Sequence, residues 1–551
     1  MRFNVTPAIL LFTLVSSCSA QKPAQYHIII RNGTIYDGSG AKPFPGDVAI
    51  NADTIAAIGD LSNDKGKKEI DARGLAVSPG FINMLSWAGE TLTHDGRSMS
   101  DIMQGVTLEV FGEGWSPAPR LNSPKDKRWQ TMGEYFNYLE KRGTSTNFAS
   151  FVGATTVRSY VLGQVNRAPD SLELKKMKEL VRQAMKDGAM GLGSSLIYAP
   201  ADFASTEELI ELCKVVSEYD GMYITHMRSE SDKILQAMNE TFRIAKEANV
   251  PAEIYHLKIN HERNWTKIDT VLMKIDSART PPSGAGGLKI TANMYTYNAS
   301  STGMTARIPT WVLEGGMAAM RKRLKDPAIR KKVLNDLASG IPTKNSDPKD
   351  VLVLGFHRDS LNKLYKNKRL DEISRLHGKG ADETMLDLLI ADRSAESIPC
   401  IFFLISEDNV KRMFQLPYVS ICSDGSSIAD EAPANTSGTH PRVYGSFARL
   451  LGKYVREEKL MTLEEAIRRM TSLPASNLQI KRRGKLLPGY FADIAVFNPN
   501  EIKDNATFEN SHEYATGMVH VLVNGVQVLE NGKHTGKMPG RAVRGPGWMK
   551  R

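Results

Sequence analysis

Residues 222–226 read Met-Tyr-Ile-Thr-His and residues 252–256 read Ala-Glu-Ile-Tyr-His. Both segments are short, apolar and end on a histidine, and a predicted helix near Asp232–Ala248 separates them. Strands about 30 residues apart that are linked by helices are βαβ units, which form parallel sheets. The two segments therefore predict neighbouring parallel strands that each end on a histidine.

The same alternation extends towards the N-terminus. Asp170 and Glu173 have the spacing of a capping box, and apolar residues at helical spacing follow up to Gly188, where the next strand begins near Met190. A second helix is expected near Thr206–Tyr219. With about 400 residues available, this α/β pattern predicts a (β/α)₈ TIM-like barrel rather than an open sheet.

Both ends of the chain have a different hydrophobic pattern. Short segments with period-2 apolarity, separated by Gly, Asp and Asn, occupy residues 24–75, and residues 482–551 repeat the pattern. We expect one small β-sandwich domain built from both chain ends, with the barrel at 76–481. A Lys/Arg-rich stretch at Arg321–Asp359 interrupts the barrel pattern and predicts an inserted subdomain near 310–370.

Composition and charge exclude several classes of protein. The chain has 551 residues, 41% of them hydrophobic and 24% charged, so a large folded core is expected. The formal net charge of +10 is spread along the chain, which disfavours nucleic-acid binding. Four cysteines are too few for a disulfide scaffold. No internal segment has the long apolar run that a polytopic membrane protein needs.

The first twenty residues are expected to be a signal peptide. Arg2 precedes an apolar run at Ala8–Val15, and small residues follow up to Ala20, which is the pattern of an export signal. The small residues before Cys18 also match a bacterial lipobox, in which the cysteine is lipid-modified, whereas cleavage after Ala20 is the competing outcome. We therefore expect an exported protein, either periplasmic or lipid-anchored to the cell envelope.

Three residues near predicted strand ends carry metal or acid–base chemistry. His226 and His256 fall on the face of a barrel where its enzymes react, and neighbouring imidazoles can bind one divalent ion. Asp424, near the last expected strand, can act as general base to an activated water. Each residue alone also has a structural interpretation, a hydrogen-bonded histidine or an Asp-Gly turn. Together they favour a metal site.

A series of motifs in fixed order resembles one known family. The chain is similar to the N-acyl-D-amino-acid deacylases (D-aminoacylases) of the amidohydrolase superfamily, from about Ile28 to Gly540. Together the motifs are specific for the family, and less specific for the substrate. The matching stretches are Ala76–Ile82, Gln104–Thr107, Ser195–Pro200, Thr225–Glu230, His256–Lys258, Ser406–Asp408, Ser423–Gly425, His440–Gly445, Met470–Ala475 and Ala492–Ile494.

The resemblance implies a metal-dependent hydrolase that cleaves N-acyl-D-amino acids into a carboxylate and a free D-amino acid. It implies zinc as the cofactor and Asp424 as the proton shuttle. A dipeptidase or cyclic-amide hydrolase on the same barrel and a non-catalytic family member are the alternatives, because fold does not fix function. The expected partner is a small-molecule substrate, with no nucleic acid, and with membrane contact only through a lipid anchor at Cys18.

The chain departs from the family at two metal-binding motifs. Leu85 and Trp87 stand where superfamily members usually show His-x-His, and neither side chain can ligate zinc. The family's Gly-Asn-Cys-Gly segment is replaced by Gly112–Trp115, in which Glu113 is the nearest ionisable residue. We expect Glu113 to be the third metal ligand, with Glu109 ranked lower. Since the lost histidines belong to the metal site that the family can spare, one ion per chain is expected, of open identity.

Four further residues match positions that face substrate in the family. Lys258 and Arg442 are expected to hold the free carboxylate, the arginine through its bidentate fork. Tyr198 is expected near the scissile carbonyl oxygen, and Ser301 is the fourth position. The structural alternatives are a solvated lysine, a loop arginine and a packed tyrosine. Cys422 is expected to be a small buried strand residue rather than a nucleophile.

We predict that the mature protein begins at Cys18 or at Gln21, because the preceding residues form an export signal. Intact-mass measurement on protein from native cells should show that the signal has been removed. A diacylglyceryl mass on Cys18 would identify a lipoprotein, and a chain that retains Met1 would contradict export.

Overall fold

The computed structural model describes residues 25–120, 128–280, 286–341, 346–394, 396–429 and 438–550. The expected signal at 1–20, including Cys18, lies outside these residues. Within the described ranges, no helix combines the length and apolarity that crossing a membrane requires.

The strands of the two chain ends form one nine-stranded sheet. The ends meet where Ala76–Pro79 pairs antiparallel with Ile494–Phe497, and Gln25–Ile35 pairs with the other edge of Ala76–Pro79. Both chain ends therefore contribute strands to one sheet, which also includes Ala76–Pro79. The strands are Gln25–Ile35, Phe44–Asn51, Thr54–Gly59, Lys65–Asp71, Ala76–Pro79, Ile494–Phe497, Met518–Val523, Val526–Glu530 and Lys533–His534.

A second group of strands forms the TIM-type barrel. They pair in parallel through two sheets, and the Met84 amide donates to the Ile421 carbonyl, which brings the first and last of them together. Their residues are buried almost throughout, as expected for parallel strands covered by helices. The strands are Phe81–Asn83, Val106–Phe111, Asn147–Ser150, Val152–Gly153, Gly191–Ser195, Met222–His226, Ala252–Ile254, Ile290–Met294 and Val419–Ile421.

Helices alternate with these strands as the apolar spacing predicts. The helix Ser171–Asp187 begins at Asp170, whose carboxylate accepts from the Leu172 and Glu173 amides, and it ends at Gly188 in the left-handed conformation. The helices of this part of the chain are Ala88–Thr91, Met99–Ile102, Met132–Arg142, Ala154–Leu162, Ser171–Asp187, Thr206–Ser217, Ile234–Ala248, Ile268–Arg279, Glu407–Phe414, Arg442–Arg449, Leu463–Met470 and Ser472–Asn477. A π-helical segment, Leu450–Glu457, continues Arg442–Arg449.

A subdomain with its own hydrophobic core is inserted before the last barrel strand. Its buried residues run from Met304 to Phe402, a wider range than the basic stretch indicated. It contains the strands Ser300–Gly303, Val351–Val353, Lys368–Arg369 and Pro399–Phe402 and the helices Gly316–Lys325, Pro327–Ala338, Asp359–Tyr365, Leu370–His377 and Ala381–Ala391. Residues of this insert form one wall of the cavity described below.

Candidate metal centre and active-site cavity

Three side chains from different parts of the barrel converge on one point. Glu113 Oε1 lies 2.9 Å from His226 Nδ1 and 3.2 Å from His256 Nε2. One ligand atom from each residue lies within 4.8 Å of the other two, and all three residues are buried. The structure therefore brings together the three residues that the sequence suggested as metal ligands.

The barrel strands position both histidines. His226 is the last residue of the strand Met222–His226, whereas His256 lies two residues beyond the neighbouring strand Ala252–Ile254. The His256 amide donates to Asn293 Oδ1 at 2.8 Å, and its φ of 34° is unusual for a residue other than glycine. This turn directs the second imidazole back towards the first.

Two glycines allow Glu113 to reach the histidines. Gly112 has a φ of 112° and Gly114 a φ of 69°, conformations that side chains with a Cβ rarely adopt. A Cβ would lie 2.4 Å from the Phe151 carbonyl oxygen at the first position and 2.1 Å from Ser195 Oγ at the second. The loop after the barrel strand therefore passes too close to its neighbours for larger residues and turns the carboxylate inward.

Glu109 lies elsewhere, as its lower ranking implied. Its carboxylate accepts hydrogen bonds from Ser86 Oγ and Thr146 Oγ1, both at 2.8 Å. The residue is completely buried, and this burial raises the pKa of Glu109. Its hydrogen bonds hold it within the barrel wall.

Glu230 and Lys258 form an outer layer behind His256. Glu230 Oε1 lies 2.9 Å from His256 Nδ1 and 2.7 Å from Lys258 Nζ. The ammonium also lies 2.7 Å from His256 Nδ1 and donates to the His256 carbonyl at 3.2 Å. A carboxylate on the far nitrogen of a metal-ligating imidazole orients the ring. Lys258 was expected to contact substrate; in the structure its ammonium contacts Glu230 and the His256 carbonyl inside the site.

Electrostatic interactions within the cluster set the charge states of Glu113 and His256. Burial raises the pKa of Glu113, but His256 and His226 lower it more, to about 2. Burial and Lys258 lower the pKa of His256, but the surrounding carboxylates, Glu230 foremost, raise it to about 9. Without a metal the site therefore holds a proton on an imidazole beside anionic carboxylates. A divalent cation would replace that proton, because metal ligands must be deprotonated.

The residues present fit a zinc-type ion. Two imidazoles and one carboxylate are a donor set of catalytic zinc sites. His226 Nε2 is buried and makes no hydrogen bond to the described residues, with Glu230 Oε2 at 3.5 Å. A buried nitrogen without a hydrogen-bond partner is costly, so it indicates a site built for a further group.

Asp424 lines the same cavity as Glu113, His226 and His256. Both of its carboxylate oxygens contact neighbouring side chains. Trp87 Nε1 donates to Oδ1 at 3.0 Å, and Arg442 Nη1 lies 2.7 Å from Oδ2. The arginine pair is close by distance but lacks hydrogen-bond alignment, so Arg442 Nε and Nη1 both keep an unused donor. The guanidinium also stacks over the Tyr295 ring at 4.7 Å. Arg442 thus faces Asp424, and its expected contact with substrate stays a prediction.

The other two expected substrate residues line the same space. Tyr198 accepts a hydrogen bond from Thr302 Oγ1 at 2.9 Å, and burial foremost raises its pKa, so the phenol is neutral. Ser301 Oγ donates to the Cys400 carbonyl at 3.0 Å. Cys422 is fully buried, and burial raises the pKa of its thiol, as expected for a strand residue rather than a nucleophile.

The three candidate ligands, Asp424 and the four expected substrate residues open onto one cavity of about 1170 Å³. Trp87 and Trp115 expose 37% and 41% of their surface, so the lining is apolar as well as charged. A cavity of this size that combines apolar walls with a few convergent polar groups is typical of a small-molecule site. The lining includes Glu113, Tyr198, His226, Glu230, His256, Lys258, Ser301, Leu313, Asp424 and Arg442.

Two contributions were missed at the sequence level. Glu230 follows His226 by four residues, but its partner His256 is on another strand, so no local spacing indicates the contact. Trp87 was considered only as a residue that cannot ligate zinc, and nothing in the sequence predicts that its indole reaches Asp424.

This fold and donor set define the amidohydrolase class of metal-dependent hydrolases. Residues 423–529 match the sequence profile described as Amidohydrolase family. The chain is 31% identical over 530 residues to D-aminoacylase of Alcaligenes xylosoxydans xylosoxydans. This alignment covers 94% of this chain and 97% of that protein. The chain belongs to the D-aminoacylase family.

Solved structures agree with this membership. N-acyl-D-glutamate deacylase from Bordetella bronchiseptica, complexed with zinc and a phosphonate mimic of the tetrahedral intermediate, has a TM-score of 0.79 at 28% identity. A D-aminoacylase studied for its binuclear metal centre, with one-metal activation and second-metal attenuation, has a TM-score of 0.77 at 32% identity. Each comparison covers 94% of this chain and 100% of the other.

We predict that Glu113→Gln weakens zinc binding, because the anionic oxygen between the two imidazoles is lost. Since loss of an outer-layer partner already costs about 10–100-fold in affinity, the loss here should be at least that large. Glu113→Cys should restore much of the binding, with a shift towards softer metals. Chelator competition measures both changes.

Glu109→Gln is the matched control, since Glu109 is a buried carboxylate on the preceding strand that lies outside the cluster. Its zinc affinity should stay close to that of the wild type. Equal affinity of Glu113→Gln and the wild type would show that the Glu113 carboxylate is not a ligand.

Proposed function

We propose that this protein hydrolyses the amide bond of N-acyl-D-amino acids, which releases a carboxylate and a free D-amino acid. The observation that carries the proposal is Glu113 Oε1 between two strand-end imidazoles, in a cavity that also presents Asp424 and Arg442. The family supports the same reaction, because relatives of almost equal length are named D-aminoacylase and N-acyl-D-aspartate deacylase.

Glu113, His226 and His256 would hold the metal, and zinc is the ion that this donor set favours. When bound, such an ion supplies polarisation of the amide carbonyl and makes a water acidic enough to react near neutral pH. The protein's own contribution is to keep three ligands in place and to orient His256 through Glu230 and Lys258. Exclusion of solvent from this buried cluster strengthens each of these electrostatic contacts.

Asp424 would move the proton of the reaction. In the proposed mechanism its carboxylate takes a proton from the attacking water and then passes it to the departing nitrogen. The proposal gains support from the burial of Asp424, which is 7% exposed, at the edge of the cavity. A fixed carboxylate needs little reorganisation when it accepts a proton.

Arg442 would hold the free carboxylate of the substrate. Nη1 already lies 2.7 Å from Asp424 Oδ2, but Nε is buried and lacks a hydrogen-bond partner among the described residues, which leaves this donor available to an anionic group. Lys258 is the weaker candidate for this role, because its ammonium already contacts Glu230 and the His256 carbonyl within the site. Tyr198, neutral and buried, would donate to the carbonyl oxygen of the scissile amide.

We predict that the zinc-loaded protein hydrolyses N-acyl-D-amino acids and that Asp424→Asn loses about 10²–10⁴-fold in turnover, the usual contribution of a general acid–base group. A panel of N-acyl-D-amino acids, N-acyl-L-amino acids, dipeptides and cyclic amides measures the reaction. Asp276→Asn is the control, because Asp276 lies on the outer helix Ile268–Arg279, where its side chain accepts a hydrogen bond from Tyr418 at 3.0 Å.

Turnover confined to dipeptides or cyclic amides would contradict the proposed substrate class. A loss below tenfold in Asp424→Asn would contradict the proton-transfer role of this residue.

We also predict close to one tightly bound zinc-type ion per chain, because apolar Leu85 and neutral Trp87 replace the two histidines of the expendable site. Elemental analysis of the purified protein after dialysis measures the ratio. His226→Ala or His256→Ala should lose the ion together with activity. Two tightly bound ions per chain would refute a mononuclear site.

A further inference from the structure

Backbone hydrogen bonds tie the segment Leu85–Trp87 to Asp424. The Asp424 amide donates to the Leu85 carbonyl at 2.9 Å, and the Trp87 amide donates to the Gly425 carbonyl at 2.8 Å. Ser86 and Gly425 form a parallel bridge between these two contacts. Because the bonds run in both directions, the two segments keep a fixed register.

The Trp87 side chain adds a contact to the reacting group itself. Its indole Nε1 donates to Asp424 Oδ1 at 3.0 Å, while Arg442 Nη1 approaches Oδ2 at 2.7 Å. The Asp424 backbone has a φ of 47°, so the carboxylate leaves the strand end in a constrained direction. Indole offers only a donor, so this hydrogen bond has one polarity.

We propose that Trp87 is a positioning residue, whose indole N–H orients the Asp424 carboxylate for proton transfer. This inference rests on the proposed function, since Asp424 is the proton shuttle there. The indole fixes one carboxylate oxygen of Asp424 and leaves the other in contact with Arg442.

The geometry explains why a tryptophan serves this purpose. The hydrogen bond is on one edge of the ring system, and the residue, which is 37% exposed, lines the cavity. A rigid ring with two side-chain torsions places the N–H with a small loss of entropy. Phenylalanine keeps the apolar body of this side chain and removes only the donor, so Trp87→Phe isolates the hydrogen bond.

The kinetic test compares Trp87→Phe with Trp265→Phe. Trp265 is the matched control, because its indole also donates one hydrogen bond of 3.0 Å, to the Leu404 carbonyl. Since small misplacements can cost about 10²-fold, Trp87→Phe should lower kcat by about 10–10²-fold. KM should change less than about threefold and zinc content should stay constant, because the indoles of Trp87 and Trp265 contact Asp424 and Leu404, which are not metal ligands. Trp265→Phe should keep kcat within about twofold of the wild type.

A double-mutant comparison separates positioning from a general structural effect. If Trp87 acts through Asp424, Trp87→Phe/Asp424→Asn should be no slower than Asp424→Asn alone. Multiplied losses would overturn the inference, as would an unchanged kcat in Trp87→Phe. A wild-type enzyme without activity on N-acyl-D-amino acids would refute the proposed function instead.

A spectroscopic measurement decides the inference without turnover. In protein labelled with ¹⁵N at the indole nitrogens, the Trp87 N–H resonance is identified by its disappearance in Trp87→Phe. Asp424→Asn should shift this resonance, because a carboxylate acceptor becomes a neutral amide, and should leave the Trp265 resonance in place. A Trp87 resonance that does not move would overturn the inference.

Discussion

The contact of one carboxylate oxygen, Glu113 Oε1, with two imidazoles governs the geometry of this site. A buried carboxylate is costly unless it is paired, and Glu113 is only 3% exposed. Its partners must therefore come from other strands, which places strict demands on the barrel. The strand that ends at His226, the turn at His256 and the glycines on both sides of Glu113 all meet at this oxygen. A shift in any of them would leave a buried charge without a partner.

Around Glu113, the other buried carboxylates of the site are likewise paired with groups of opposite charge. Glu230 lies between His256 and Lys258, and Asp424 lies against Arg442. Burial raises the pKa of Glu230, and Lys258 and the histidines lower it further than burial raises it, so the carboxylate stays anionic. Glu113, Glu230 and Asp424 therefore each have a cation or an imidazole beside them. Since His256 carries a proton in this arrangement, metal binding must release it and becomes weaker at low pH.

The parts of this fold that follow local rules were predictable from the sequence. The capping box at Asp170 and the glycine stop at Gly188 are local patterns, and the 30-residue spacing of His226 and His256 reflects the βαβ repeat. Contacts between distant segments leave no such periodic signal. The Glu230–His256 contact and the Asp424–Arg442 pair therefore emerged only from the structure, as did the full extent of the insert, whose core closes from Met304 to Phe402.

Asp424, the acid–base group of the proposed mechanism, is held in part by backbone atoms of Leu85 and Trp87. The Leu85 carbonyl and the Trp87 amide hold the Asp424 loop through backbone atoms, which every residue type supplies equally. These backbone contacts therefore do not depend on the side chains at the two positions. The Leu85 side chain lies in the core, where it is completely buried, and the Trp87 indole contacts the Asp424 carboxylate. In the proposed mechanism these backbone contacts hold Asp424 in the cavity that Glu113, His226 and His256 also line, so the protein's own residues set the position of the proton acceptor.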